Sequence, residues 1–225
     1  MKFLILLFFF LCFGSLSVWA DGQEIGSAGG FARCRDGKYY SYDFLLKIPN
    51  HFGGSKAGLT LSQRIQFISF HLKRLKEPLV SDFDLFFSLV FTQKTGARFN
   101  WFPAQNLPLM YQPDLESYLP VECRTRRQAV IFFEQVNMTQ LRGDYRYDAP
   151  LLKQVDVQPE GSLQISYLLV HEWLWTYFEQ EQFINSAIIN RLFQSEKLGT
   201  MTELEYQQVR ALYLKIRPPK KSIPR

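Results

Sequence analysis

His171 and Glu172 stand side by side in "SYLLVHEWLWTYF", Ser166 to Phe178. A His-Glu pair on a helix is half of a hydrolytic zinc site. In the HExxH arrangement two histidines four residues apart ligate the metal from one helix face, and the Glu between them is the general base. Here the position four after His171 is Trp175, and an indole offers a metal no lone pair. The chain has 3 histidines in all. His51 sits in the Gly-rich "NHFGGSKAG" and His71 is followed by Lys73 and Arg74, so neither is well placed to supply the missing ligand. A carboxylate such as Glu179 or Glu181 would have to complete a site. Three chemistries stay open: a buried structural pair, a zinc site with His171 as ligand, and metal-free acid/base work. The structural pair is the main expectation, with no cofactor; zinc is the metal the pattern would suggest.

Helical geometry says what this pair needs. Residues three and four apart share a face, and those around His171 are Tyr167, Leu168, Leu174, Trp175 and Phe178. An imidazole on so apolar a face is buried and requires partners for its ring nitrogens. Glu172 is rotated by about 100°, toward Leu168, Leu169 and Thr176, and it too needs a partner. Arg191, on the next helical segment, is one candidate. His171, Glu172 and Arg191 therefore form the candidate cluster. Other polar groups carry less. Asp82 and Asp84 form a helix-start charge pattern, and Asp144 with Asp148 reads as a polar loop. Arg124, Arg126 and Arg127 read as a solvated strand start. Tyr39, Tyr40 and Tyr42 could stack on a sugar ring, though packing explains them more simply. Asn137-Met138-Thr139 is a glycosylation sequon, relevant in a eukaryotic secretory host. GxSxG, P-loop and GxGxxG motifs are absent.

The start of the chain sets a compartment. Lys2 precedes the apolar run Phe3 to Phe13, and Val18 and Ala20 occupy the −3 and −1 positions of a small-residue cleavage site, the layout of a secretory signal peptide. Cleavage after Ala20 is expected, which makes the protein periplasmic or secreted. The run is shorter than the roughly 20 residues of a spanning helix, and no transmembrane segment is expected in the mature chain. Cys12 follows Phe9-Phe10-Leu11, unlike the small residues of a lipid-anchoring site. Cleavage leaves Cys34 and Cys123, and two cysteines in an oxidising compartment are expected to pair. The net charge of +5 falls by one when Lys2 leaves. Much of the remainder is in the tail "KIRPPKKSIPR", read as solvated rather than as a nucleic-acid arm.

The elements that would position these residues can be read from periodicity. "DGQEIGSAGG" is a flexible leader. Asp36-Gly37 marks a two-residue hairpin turn with a strand on each side. Thr60 and Gln63 form a capping box ahead of a helix with the stripe Leu61, Ile65, Ile68, Leu72 and Leu75, ended by Pro78. Ser81 and Asp84 open a second helix with Phe83, Phe86, Phe87 and Phe91 as core candidates. Gly96 to Pro120 holds Pro103, Pro108, Pro113 and Pro120 and should be extended loop with short strand pieces. "CRTRRQAVIFFEQ" is a strand, and Tyr145 to Val157 a short strand and turn. The helix carrying "HEWLW" starts at Gly161-Ser162 and runs to about Glu179. Another spans Ser186 to Ser195, and a capping box at Thr202 and Glu205 begins a last one.

Taken in order, "AGGFARC", "LPVECRTRRQAVIFF", "LLVHEWLW" and "NSAIINRLF" resemble a group of exported, mostly uncharacterised proteins of Gram-negative bacteria. "VHEWLW" also bears a partial likeness to the zincin HExxH helix. The first resemblance implies a periplasmic or secreted address and one shared feature holding His171, Glu172, Ser186 and Arg191. It departs at Phe31, where a Gly-Gly-Asp-like turn would be expected after Gly30. The reading is therefore a single α+β domain, a small antiparallel sheet packed against several helices. It assigns 1–20 to the signal, 21–30 to the leader, 31–215 to the domain and 216–225 to the basic, Pro-rich tail. The main hypothesis is a non-enzymatic exported envelope protein with a binding or structural role. A zincin-like hydrolase using Glu172 as base and a cell-wall or glycan-binding module are the alternatives. The partner is unspecified: an envelope protein or cell-wall glycan, and no nucleic acid.

Overall fold

The longest apolar segment becomes a helix buried on every side. "GSLQISYLLVHEWLW" has no polar stripe, and a helix without one must lie inside the molecule. In the structure, a computed structural model, every residue of Gly161–Trp175 except Ser162 is buried. The described residues are 24–25, 29–47, 53–74, 80–92, 99–109, 117–123, 125–137, 140–175, 183–205, 207–208 and 211. Residues 1–20, expected to be a signal, the tail 216–225, most of the expected leader, His51, Arg124, Glu179 and Glu181 lie outside them. So do the side chains of Asp82, Phe91 and Asn137.

In chain order the elements are β1 (Glu24–Ile25), β2 (Gly30–Arg33), β3 (Tyr39–Ser41), α1 (Tyr42–Leu45), α2 (Leu61–Arg74), α3 (Val80–Thr92) and β4 (Phe99–Ala104). Then come β5 (Thr125–Gln128), β6 (Val130–Asn137), β7 (Gln140–Asp148), α4 (Ala149–Asp156), α5 (Gly161–Trp175), α6 (Phe183–Gln194) and α7 (Lys197–Thr200). The fold is the expected single α+β domain, with two small sheets where one was expected. One has the order β1-β6-β7-β4 and the other β3-β2-β5. All strand pairs are antiparallel except β4 with β7. The predicted strand "CRTRRQAVIFFEQ" spans both sheets: β5 pairs with β2, and β6, after a break at Ala129, pairs with β7. β4 carries Pro103 opposite Tyr147. An edge strand tolerates the missing N–H, so a stretch whose prolines suggested mainly loop still pairs over six residues.

Local signals explain most element starts. Gly37 N donates to Cys34 O, and Cys34 N to Lys38 O. The hairpin loop is thus three residues rather than the expected two, with Gly37 at φ +82° in the left-handed region that favours glycine. Thr60 and Gln63 form their capping box, with Gln63 N donating to Thr60 Oγ1 at 3.3 Å and Thr60 N to Gln63 Oε1 at 2.9 Å. Thr202 and Glu205 repeat it. Tyr145 to Val157, read as strand and turn, instead ends β7 and forms helix α4. Asp148 caps it by accepting from Leu151 N, with proline in the first turn, a start signal that the short span obscured.

α5 is surrounded by α1, α2, α4, α6 and β3. Ile65, Ile68 and Leu72 of α2 and Phe83, Phe86 and Phe87 of α3 are buried in the same core as Leu168, Leu169, Val170 and Trp173. Rings dominate it: Trp101 stacks on Tyr145 at 4.4 Å, and Phe83 meets Trp173 edge-on at 4.9 Å. A second small cluster joins Ala32, Tyr42, Leu46, Leu119, Cys123 and Ala187. Cys34 and Cys123 stand at disulfide distance with Cα atoms 3.9 Å apart, just beyond the Arg33–Thr125 pair of β2 and β5. No helix among the described residues is long and apolar enough to cross a membrane.

Candidate functional site: a buried acid–imidazole cluster

The polar centre of the molecule is assembled where α1 meets α5 and α6. α1 is one turn long and cannot stand alone. Its N-cap, Ser41, accepts from Phe44 N at 3.4 Å. The strand before it is held by two glutamines: Tyr39 N donates to Gln158 Oε1 at 2.8 Å and Ser41 N to Gln164 Oε1 at 2.9 Å. Those bonds satisfy outward N–H groups of β3, an edge strand, and set the angle at which α1 enters the interior.

α1 thereby delivers Asp43 to His171. His171 Nδ1 lies 3.0 Å from both Asp43 carboxylate oxygens. Asn190 Nδ2 of α6 donates to Asp43 Oδ2 at 2.7 Å and to the Tyr167 carbonyl at 2.7 Å. Arg191 donates through Nε to Asp43 O at 3.1 Å and through Nη2 to Phe44 O at 3.0 Å and to Leu46 O. These carbonyls belong to the last turn of α1 and the residue that follows it. An arginine here satisfies carbonyls left without helical partners and complements the negative end of the peptide dipoles. Asp43, His171 and Glu172 are 3%, 4% and 1% exposed, so the cluster is interior. The crevice bordered by Gly29, Ser41, Tyr42, Asp43, Tyr167 and His171 has no room for a water molecule.

Trp175 answers what replaces the second histidine. Its ring stacks on His171 at 5.7 Å and 17°, one turn along the same face. An indole face attracts a cation, so the position that would ligate a metal in a zincin helix here lies against the imidazole as a π surface. Burial alone would lower the His171 pKa. The Asp43 charge and hydrogen bond, with the Glu172 charge, outweigh it and hold that pKa above its ordinary value. Nδ1, facing a carboxylate, carries the proton; Nε2 has no hydrogen-bond partner among the described residues.

Glu172 points elsewhere. A Cβ at Gly29 would run into Glu172 Oε1 and lie 3.2 Å from Leu168 Cδ1, so the carboxylate fills the space a side chain at Gly29 would need. Gly29 O accepts from Ala129 N and Val130 N at 3.1 Å and from Gln128 Nε2 at 2.8 Å. The leader's last residues are therefore part of the fold: Gly29 and Gly30 are buried, and Glu24–Ile25 pairs with β6. The flexible-leader assignment for 21–30 is corrected to that extent, because only glycines can approach Glu172 and Tyr42 so closely.

The remaining candidates are dispersed. His71 is buried in α2, edge-on to Phe67 at 4.2 Å, and burial, with Arg74 and Lys56 nearby, pulls its pKa down to about 4. Asp84 accepts from Ser69 Oγ at 2.6 Å. Asp144 accepts from Asn100 at 2.9 Å, and Asp148 pairs with Arg127 at 3.1 Å; both lie in β7 rather than in a loop. Tyr40 stacks on Phe44 at 5.7 Å and donates to Asp36 at 2.7 Å, while Tyr42 is buried. No three His, Cys, Asp or Glu side chains among the described residues form a metal-holding group.

The candidate cluster thus joins His171 and Arg191 through two residues the sequence reading missed, Asp43 and Asn190. Signals for both exist. Asp43 is a lone acid in the aromatic run "YYSYDFLL", and Ser186, Asn190 and Gln194 recur every four residues along "FINSAIINRLFQ". All three of the latter are buried, and Gln194 Nε2 donates to Ser166 Oγ at 2.7 Å. Together with Asn190 on the Tyr167 carbonyl, that bond ties α6 to α5 along one seam. Comparison with protein-family models, with curated proteins and with solved structures returns no match.

Proposed function

We propose that this chain is an exported envelope protein, periplasmic or secreted, with a binding or structural role rather than an enzymatic one. In it the Asp43–His171–Asn190–Arg191 cluster is a clamp that holds the N-terminal hairpin and α1 against α5 and α6. One observation carries the reading: the imidazole and the amide both bond to the Asp43 carboxylate, in a space too tight for water. A general base must reach a substrate proton, and such packing leaves no place for one. The disulfide-distance pair Cys34 and Cys123 is compatible with export, and the Lys2-to-Ala20 pattern supports processing before Asp21.

Two measurements test this reading. Removing one member of a buried hydrogen-bonded set leaves its partner unsatisfied, which costs about 1–3 kcal/mol. His171→Ala and Asp43→Ala should each lose about that much in denaturant unfolding, and the double variant should lose less than the sum because the two share one contact. Stability unchanged in both variants would overturn the clamp. Sequencing the exported product should find Asp21 first; an unprocessed chain retained inside the cell would overturn the address.

A further inference from the structure

Arg64, in the first turn of α2, is a buried cation without a paired acid. The residue is 3% exposed, and a guanidinium keeps its proton in a protein interior. Among the described residues its side chain makes one hydrogen bond, from Nη1 to the Lys56 carbonyl at 2.6 Å. Nε is enclosed and has no partner. Nη2 donates to nothing, and no carboxylate stands at ion-pair distance. Glu160, whose charge acts on Arg64 from further away, is exposed. Buried charges are ordinarily paired, because an unpaired one forfeits its hydration. The edge left over is a specific one. Nε and Nη2 point the same way and can grip a carboxylate or phosphate group through two parallel bonds.

The groups beside that edge are donors too. Residues 53–60, the loop ahead of α2, are pinned to the end of α6: Lys56 N donates to Gln194 O at 3.1 Å, Glu196 N donates to Gly54 O at 2.9 Å, and Ser55 bridges to Ser195. Ser55 Oγ and Tyr167 Oη share one hydrogen bond at 2.9 Å. Two hydroxyls carry two hydrogens, so one remains unspent. Tyr167 and Arg64 each feel the other's charge, which sets the hydroxyl pair near the guanidinium. Burial pushes the Tyr167 pKa up to about 12, so its hydroxyl stays a donor at neutral pH. Lys56 brings a second cation, its Nζ lying over the Phe67 ring at 4.8 Å. One acid touches the loop: Glu196 Oε1 accepts from Ala57 N at 3.4 Å. Ser55 and Lys56 are half-buried, so solvent reaches this side of the loop.

We propose that Arg64, with Ser55 and Tyr167, is the binding site for an oxyanion, the carboxylate or phosphate group of a small ligand that enters past Lys56. The Nε–Nη2 edge takes two of its oxygens, and the spare hydroxyl hydrogen bonds one of them. The site contains none of Asp43, His171, Asn190 and Arg191, so it does not rest on the clamp. It supplies a ligand chemistry for a binding role.

The test uses the mature chain from residue 21 at neutral pH and constant ionic strength. Sodium acetate and inorganic phosphate are titrated separately, with sodium chloride as the control, and NMR follows the Arg64 Nε–H and the Ser55 and Lys56 amides. The expected result is a saturable shift at these groups with acetate, phosphate or both, and none with chloride; the anion that saturates names the ligand's group. Arg64→Lys keeps the charge and loses the fork, and should bind at least about tenfold more weakly, the loss of a hydrogen bond to a charged group. A wild-type shift that does not saturate, that chloride reproduces, or that falls only on other residues overturns the site, as does equal affinity in Arg64→Lys. If Arg64→Lys does not fold, Ser55→Ala takes its place, and unchanged affinity there overturns the site. None of these outcomes moves the stability losses predicted for His171→Ala and Asp43→Ala, so site and clamp fail separately.

Discussion

At the residue scale, two histidines in one core are predicted to titrate in opposite directions because their neighbours differ. His171 bonds to Asp43, with the Glu172 charge adding to it, so its charged form is favoured; His71 sits among Phe67, Phe70 and two nearby cations, so its neutral form is favoured. Its folded pKa of about 4 lies below the ordinary value of about 6.5. The stability it contributes is therefore complete above that ordinary value and is lost as pH falls toward the folded one, by on the order of 2–3 kcal/mol. Thermal melts between pH 7 and pH 4 should show this acid limb, and His71→Gln should flatten it; an identical limb in the variant would remove His71 as the cause. Gly29 gives a second prediction at this scale. Gly29→Ala drives a methyl into the Glu172 carboxylate and should cost about 1–3 kcal/mol as an overpacked site. Adding Glu172→Ala should restore part of that loss, which a double-mutant cycle measures; strictly additive effects would refute the close approach.

At the element scale, the site depends on a helix too short to form by itself. α1 owes its place to β3 before it, to Gln158 and Gln164 on the other side of the strand, and to Arg191 at its end. α6 contributes a seam in which Asn190 and Gln194, four residues apart, donate to the Tyr167 carbonyl and Ser166 Oγ of α5. Buried polar pairs of this kind can fix helix register at some expense in stability. Much of this was legible. The stripe of α2, the two capping boxes, the hairpin at Gly37 and the apolar α5 all follow from spacing and turn chemistry. α4 was not, because it needs a cap recognised within a short span; β4 is one of the short strand pieces expected between Gly96 and Pro120, and its place on the sheet edge is what tolerates Pro103.

At the scale of the whole molecule, the Cys34–Cys123 pair ties the β2–β3 hairpin to the start of β5 across a sequence separation of 89. Chain-entropy reasoning assigns a loop of that length about 4–5 kcal/mol. Cys123→Ser should lower unfolding stability by about 2–5 kcal/mol, the usual range for a native disulfide, and wild type under reducing conditions should match the variant. Equal stability of the oxidised and reduced protein would show that the link does not constrain the unfolded chain. Because the pair borders the cluster of Ala32, Tyr42, Leu46 and Ala187, its loss should also loosen α1, detectable at the Leu46 amide.

The sequence by itself determined the α+β class, the interior position of His171 and Glu172, and the approach of Cys34 to Cys123. Each follows from local periodicity or from counting, which need no knowledge of distant neighbours. The partner of His171 was decided only by the tertiary structure. Asp43 is 128 residues away in sequence, and no spacing rule acts over that distance. Arg191, placed by helix order opposite Glu172, donates to the carbonyls of α1, and Glu172 packs on Gly29. Those assignments depend on where separate elements dock. Docking is set by the summed burial of many side chains, so a polar pair deep in the interior is visible only once the chain has folded around it.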